Sequence, residues 1–202
     1  VRHLRRAGRF VGPGLNRLVV LKALIYASLC LPGAIRHMPR LLRALAAACD
    51  RQILPDGGHI ERNPAAQLEA LRHLIDIRTA LEATKIEIPE ALLHAIDRAA
   101  PMLRFFRHGD GGLALFNGSD EGEAWLTDVV LTRAEARGKP LASAPHTGFE
   151  RIAVNRTLVL VDTGVPQDRV PGAHAGTLSF ELSVGKQRIV VNCGAFGGRE
   201  ES

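Results

Sequence analysis

The chain changes its hydrophobic period near residue 145. Before this point apolar residues recur with the spacing of about 3.6 residues that is typical of helices, and after it they alternate with polar residues as in strands. The pattern therefore predicts an N-terminal helical part and a C-terminal sheet part. We place the break at residues 140–147 and expect two units, residues 1–140 and 141–202.

Five helices are predicted in the first part. They are expected at Asn16–Leu31, at Ala34–Ile53, from Asn63-Pro64 onward, from Pro89 onward, and around Asp120–Arg137. Asn63 followed by Pro64 is a typical N-cap with proline at the first helical position. Because no strand pattern separates the helices, we expect stacked helical hairpins, as in an α/α toroid, rather than a βαβ fold.

Four strands are predicted in the second part. They are rich in Val, Ile, Leu and Thr and cover Phe149–Asn155, Thr157–Asp162, Thr177–Val184 and Gln187–Asn192. Tight turns between successive strands favour an antiparallel sheet. Four strands would leave an open edge and an unfilled core, so we expect further strands beyond Ser202. The fold class is therefore α+β, with both parts incomplete.

Charge and composition narrow the possible partners. The net charge of +5 favours an acidic partner, although much of the excess lies in the first seventeen residues. No recognised nucleic-acid module accompanies that charge, so we expect no nucleic-acid binding. Lys22 interrupts the apolar run 18–32, which is too short to cross a membrane, so no transmembrane segment is expected.

Two segments carry candidate chemistry. The first, Asp56-Gly-Gly-His59-Ile-Glu61-Arg62-Asn63-Pro64, gathers ionisable groups around a Gly-Gly turn just before a helix N-terminus, a position that attracts anions. His59, Arg62 and Asn63 could bind a carboxylate there. The second places His174 after a Pro-Gly turn that leads into a strand, and Asn192 at the end of the following strand.

Together these segments resemble the heparinase II/III-type polysaccharide lyases. That family carries a DG-x-H-x-E-x-x-P segment in a helical toroid and a HxHxD-like turn at the start of a C-terminal β-domain. The resemblance covers nearly the whole chain. It implies the end of an α/α toroid followed by the first strands of an antiparallel β-sandwich. It also implies a carbon–oxygen lyase that cleaves acidic, uronate-containing polysaccharides by β-elimination at a bacterial cell envelope or in the periplasm, with the cytoplasm left open.

The positions that match the family's functional residues are largely replaced. Ala66 stands where the family has a proton-transferring Tyr, and Gln67 where a His often follows it. Gly172 matches the catalytic His, while Gly176 matches an Asp. The proton-transfer groups that β-elimination requires are thus absent from the matched positions.

The resemblance also suggests weaker candidates. His174 matches a metal-binding His and Asn192 a metal-binding Asp, which is a poor set for zinc. Zinc is possible in the full-length family, but we expect no cofactor in this chain. Asn16 lies near the place of a family Asn-His pair, either as a carboxylate contact or as a plain helix cap. Glu61 completes the candidate substrate-binding set with Asn16, Arg62 and Asn63.

Two hypotheses remain open at the level of sequence. The chain belongs either to a divergent lyase that uses His59 or His174 for elimination, or to a non-catalytic protein that binds acidic polysaccharide or helps to assemble the cell envelope. New ultraviolet absorbance from an unsaturated uronate product would distinguish them.

Overall fold

A computed structural model describes residues 6, 8, 11–135, 138–165 and 176–193. Within these ranges the chain forms five α-helices and then five strands. The helices are α1 (Leu15–Cys30), α2 (Met38–Gln52), α3 (Pro64–Ala83), α4 (Glu90–Phe105) and α5 (Ala124–Ala134). The strands are β1 (Ser143–Ala144), β2 (Phe149–Val154), β3 (Thr157–Asp162), β4 (Phe180–Val184) and β5 (Gln187–Val190).

The helices pack around a common apolar core. Helix α3 contacts α1, α4 and α5, and α2 packs against α1 and α4. The predicted cap of α3 is confirmed, because the Asn63 side chain accepts a hydrogen bond from the Ala66 amide at 2.9 Å. No helix in the described part of the chain is long and apolar enough to cross a membrane.

Two predicted helices begin later than expected. A 3-10 turn at Ile35–His37 precedes α2, which begins at Met38 with a proline in its first turn. Pro39 has no amide hydrogen and suits a first helical turn. Helix α5 begins at Ala124 rather than near Asp120, because the Asp120 side chain accepts from the Gly122 amide and holds a turn there.

The strands form one antiparallel sheet in sequence order, β1-β2-β3-β4-β5. Strand β1 was not predicted, because two residues are too few to show an alternating pattern. Leu158 and Leu160 lie on the face that covers the helices and are buried. On the opposite face Ile152 and Val154 are more than half exposed.

The helical and sheet parts share their core. The Phe149 ring at the start of β2 lies 5.0 Å from the Phe106 ring and 5.1 Å from the Phe116 ring, measured between centroids. The predicted fold class, helices followed by an antiparallel sheet, is confirmed.

Candidate functional site

The DGGHIERNP segment links α2 to α3 and lies against the sheet part. The Asp56 carboxylate accepts hydrogen bonds from both the amide and the hydroxyl of Thr147, each at 2.6 Å. Gly57 has a positive φ of 87°, and a Cβ there would collide with the backbone of Arg98. The segment is therefore shaped to hold the 147–148 turn just before β2.

Arg62 holds the same turn from the other side. Its Nε donates to the Thr147 carbonyl at 2.7 Å, and its guanidinium forms an ion pair with Asp162 at the end of β3. The guanidinium carbon also lies 5.0 Å from the centre of the Phe149 ring. Arg62 is only 6% exposed, so this cation is directed into the joint between the two parts.

His59 is enclosed within the protein. It is 1% exposed, and its Nε2 lies 3.3 Å from the Gln52 side-chain oxygen. Its Nδ1 accepts from the Glu61 amide at 3.4 Å, which fits a neutral ring protonated on Nε2. Burial lowers the pKa of His59 to about 4. At neutral pH the side chain is therefore an uncharged, interior hydrogen-bonding group.

The two replaced positions at the start of α3 also face inward. Ala66 is buried in the first turn. The Gln67 side-chain oxygen accepts from the His59 amide at 2.6 Å, while its nitrogen donates to the carbonyls of Gly57 at 2.9 Å and Ala99 at 3.0 Å. Gln67 therefore fixes the Gly-Gly turn, and an amide side chain cannot act as an acid or base at neutral pH.

The remaining helical candidates lie at helix ends. Glu61 accepts from the Leu15 amide at 2.8 Å and so caps α1. Asn63 caps α3 and donates to the Asn117 carbonyl at 2.9 Å. Asn16 is exposed in the first turn of α1. Its proposed contact with a substrate carboxylate stays a prediction.

On the sheet side, Asn192 follows β5 and donates to Glu181 at 3.1 Å. Gly172 and His174 lie outside the described residues, so a site shared by His59 and His174 also stays a prediction. In the described ranges no group of three or more His, Cys, Asp or Glu residues is arranged to hold a metal ion. Asn192 with one neighbouring carboxylate does not fit zinc, which takes three or four protein ligands.

A buried network that the sequence did not predict forms a second joint. His108, in the turn after α4, lies 2.8 Å from Glu181 through Nε2 and 2.9 Å from the Ser183 hydroxyl through Nδ1. Glu181 also accepts from the Leu115 amide at 2.7 Å. Burial raises the pKa of Glu181, but the hydrogen bonds from His108 and Leu115 outweigh it, and the pKa falls below its ordinary value.

This Ser-His-Glu set contains the residue types of a hydrolase triad, but the two ring nitrogens of the histidine are exchanged and the set is not accessible. Ser183 and Glu181 are at most 1% exposed, and His108 is 3% exposed. A nucleophile must reach its substrate, so we assign the network to the joint between the two parts. The register places Glu181 opposite Leu160 and Ser183 opposite Leu158, on the buried face of the sheet. The sequence of β4 alone does not show this, because Leu182 lies on the other face.

The arrangement of helices followed by an antiparallel sheet is similar to that of solved heparinase III structures. The chain superposes on one crystal structure of heparinase III with a TM-score of 0.76 and 14% identity, covering 90% of this chain and 35% of that one. It matches the heparan sulfate lyase HepC from Pedobacter heparinus with a TM-score of 0.72 and 16% identity, covering 95% of this chain and 34% of that one. At these identities the likeness shows the fold.

Sequence comparison adds a family match over part of the chain. Residues 136–201 match the family described as heparinase II/III-like, C-terminal. The chain is also 35% identical over 155 residues to FtsZ-localized protein C of Caulobacter vibrioides, covering 76% of this chain and 27% of that protein. Residues 136–201 therefore match the heparinase II/III-like C-terminal family, and the chain spans about a quarter of this curated relative and about a third of the solved lyases.

Proposed function

We propose that this chain is part of a heparinase II/III-like protein that binds acidic polysaccharide without cleaving it. The observation that carries the proposal is that polar side chains in and next to the DGGHIERNP segment already have partners within the protein. His59 is buried and neutral, Arg62 is paired with Asp162, and Gln67 bonds to backbone. β-Elimination requires groups that remove the C5 proton of a uronate and protonate the leaving oxygen. These side chains supply neither.

A role in assembly at the cell envelope is a second candidate. The relative from Caulobacter vibrioides is named for its localisation with FtsZ rather than for cleavage of a glycan. An identity of 35% over 155 residues makes it a closer sequence relative than the solved lyases at 14–17%. We therefore propose a bacterial protein at the cell envelope, for which polysaccharide binding would provide attachment.

The central test is an elimination assay. The protein is incubated with heparin, heparan sulfate and alginate, and the ultraviolet absorbance of unsaturated uronate is followed, with an active lyase as the positive control. We expect no new absorbance. We also expect little recovery in the Ala66→Tyr variant, because proton-transfer groups act as a unit. Turnover by the unmodified protein that is lost in His59→Gln or His174→Gln would overturn the proposal and identify the base.

A further inference from the structure

A basic cleft lies at the end of the sheet away from the Arg62 joint. Its volume is about 770 Å³, and it is bounded by the β2–β3 turn, the β4–β5 turn and the loop after α4. Four basic side chains line it, namely Arg107, Arg151, Arg156 and Lys186. No carboxylate is among its described lining residues. A concave surface lined by one sign of charge concentrates ions of the opposite sign.

The cleft is separate from the segment that resembles the family's active site. Strand β3 begins at the cleft with Thr157 and ends at Asp162, the partner of Arg62. At about 3.3 Å per residue, the two ends of this strand are roughly 17 Å apart. A ligand held in the cleft would therefore be bound independently of the DGGHIERNP segment.

Arg151 is the central feature of the cleft. It lies on β2 opposite Leu160, so its side chain is on the face that covers the helices. Its Nε is buried and has no hydrogen-bond partner in the described part of the chain, and the partial burial lowers its pKa. A buried donor without a partner is unfavourable. The rest of the Arg151 side chain is partly exposed, and an anionic ligand in the cleft would contact it there.

The other basic side chains of the cleft differ in whether they already have partners. Arg107 is already bound to Asp128 at 2.6 Å and to the Gly111 carbonyl at 3.0 Å, so it is a fixed part of the wall. Arg156 and Lys186 are exposed at the two turns and can approach a ligand from outside. The cleft thus combines one half-buried guanidinium with two cations at its rim.

The lining chemistry favours a sugar chain that carries charges. Asn155, Thr157 and Gln187 offer amide and hydroxyl partners for sugar hydroxyls, and no aromatic residue is available for stacking. Guanidinium groups bind carboxylates and sulfates through paired hydrogen bonds. We infer that this cleft is the binding site for a segment of acidic oligosaccharide, whose carboxylate or sulfate groups contact Arg151, Arg156 and Lys186. This inference rests on the proposed function and assigns it to a specific surface.

The test compares two double variants of equal net charge. Arg151→Gln/Arg156→Gln removes two cations from the cleft, while Arg36→Gln/Arg43→Gln removes two exposed cations from the helical part. Binding of a size-defined heparin oligosaccharide is measured by calorimetry at low salt. We expect the cleft variant to bind at least about tenfold more weakly, because it loses two guanidinium groups that could form charge-assisted hydrogen bonds with the ligand. We expect the control to change less than twofold.

A third variant tests whether weaker binding could result from misfolding. Arg156→Gln/Lys186→Gln alters only exposed side chains and should also weaken binding several-fold, with an unchanged melting temperature. If the unmodified protein binds no acidic oligosaccharide, both the proposed function and this inference fail. If it binds and the cleft variants bind equally well, only the assigned site is wrong. Equal losses in the Arg36/Arg43 control, or equally tight binding of poly-glutamate, would overturn the choice of site or of ligand class.

Discussion

Individual side chains in the family-like segment act as interior hydrogen-bonding groups. The Gln67 side chain accepts from the His59 backbone amide and donates to the Gly57 carbonyl, which fixes the Gly-Gly turn. The buried His59 imidazole contacts Gln52 and accepts from the Glu61 amide. Burial holds His59 neutral, which links the stability of the protein to pH. Burial also holds the Cys49 thiol protonated, which lowers its reactivity. Each of these two effects can be measured at a single residue.

The stability of the protein should fall between about pH 6.5 and pH 4 because of His59. The unfolded chain binds a proton at His59 near pH 6.5, whereas the folded chain does so only near pH 4. The unfolded state thus gains protons first, and the free energy of unfolding decreases as the pH falls through this window. At about 1.36 kcal/mol per pKa unit, the contribution of His59 is about 3 kcal/mol.

Urea unfolding at pH 7.0, 5.5 and 4.0 measures this effect. The His59→Gln variant should lose less stability across the range than the unmodified protein. The exposed His94 provides the matched control, and His94→Gln should leave the slope unchanged. An identical pH dependence in the protein and in His59→Gln would contradict the assignment.

The three cysteines should differ in reactivity. Cys49 is buried in α2, and burial raises the pKa of its thiol to about 12, with a smaller contribution from Asp50. Cys30 and Cys193 are exposed. Because the thiolate is the reactive form, a thiol reagent at pH 8 should label two cysteines in the native protein and three in denaturant. Rapid labelling of Cys49 under native conditions would show that α2 opens readily.

At the scale of elements, two polar joints hold the sheet on the helices. One connects the α2–α3 segment to the 147–148 turn through Asp56 and Arg62, and the other connects the turn after α4 to β4 through His108 and Glu181. Burial of charged groups is favourable only when each one is paired. The joints therefore depend on their complete sets of partners.

Removal of Arg62 should destabilise the protein strongly. Arg62→Ala leaves the carboxylate of Asp162 buried without its counter-ion, and breaking such a pair costs about 3–5 kcal/mol. The exposed Arg36→Ala variant is the control and should change the free energy of unfolding by less than about 0.5 kcal/mol. In a double-mutant cycle with Asp162→Asn, the two losses should not add, since the residues share one interaction. Additive losses would argue that the pair contributes little.

At the scale of the whole molecule, the helices and the sheet of the described part of the chain share one apolar core. Phe149 extends from the sheet into the helical core between Phe106 and Phe116. Neither part can open there without exposing aromatic surface of the other. The described part of the chain should therefore unfold as one body.

The Phe149→Ala variant tests this cooperativity. The substitution should lower the free energy of unfolding by about 3–5 kcal/mol. Helix content is followed by circular dichroism, and the protection of the β3 amides is followed by hydrogen exchange. Both should still be lost in a single transition, as a two-state protein requires. The exposed Ile152→Ala provides a control on the other face of β2. Loss of the sheet before the helices would contradict a shared core.

The local elements of this molecule could be predicted from its sequence because their signals are local. Periodicity predicted α3 and β3, and the Asn63-Pro64 pair predicted the cap of α3. The joints could not be predicted in this way, because Arg62 and Asp162 are 100 positions apart and His108 and Glu181 are 73 apart. The DGGHIERNP segment was selected as a candidate site, and its role in binding stays a prediction. Spacing alone did not reveal that Arg62 is directed into the interior.

The inward-facing motif affects how related sequences are interpreted. Asp56 and Arg62 secure the sheet to the helices, so substitution at either position should harm the folding of this chain whether or not it cleaves a glycan. The need for a stable fold is therefore a sufficient reason for these two residues to be present. A match to the DG-x-H-x-E-x-x-P pattern then indicates the fold. Activity has to be judged at other positions, such as Ala66 and Gln67 at the start of α3.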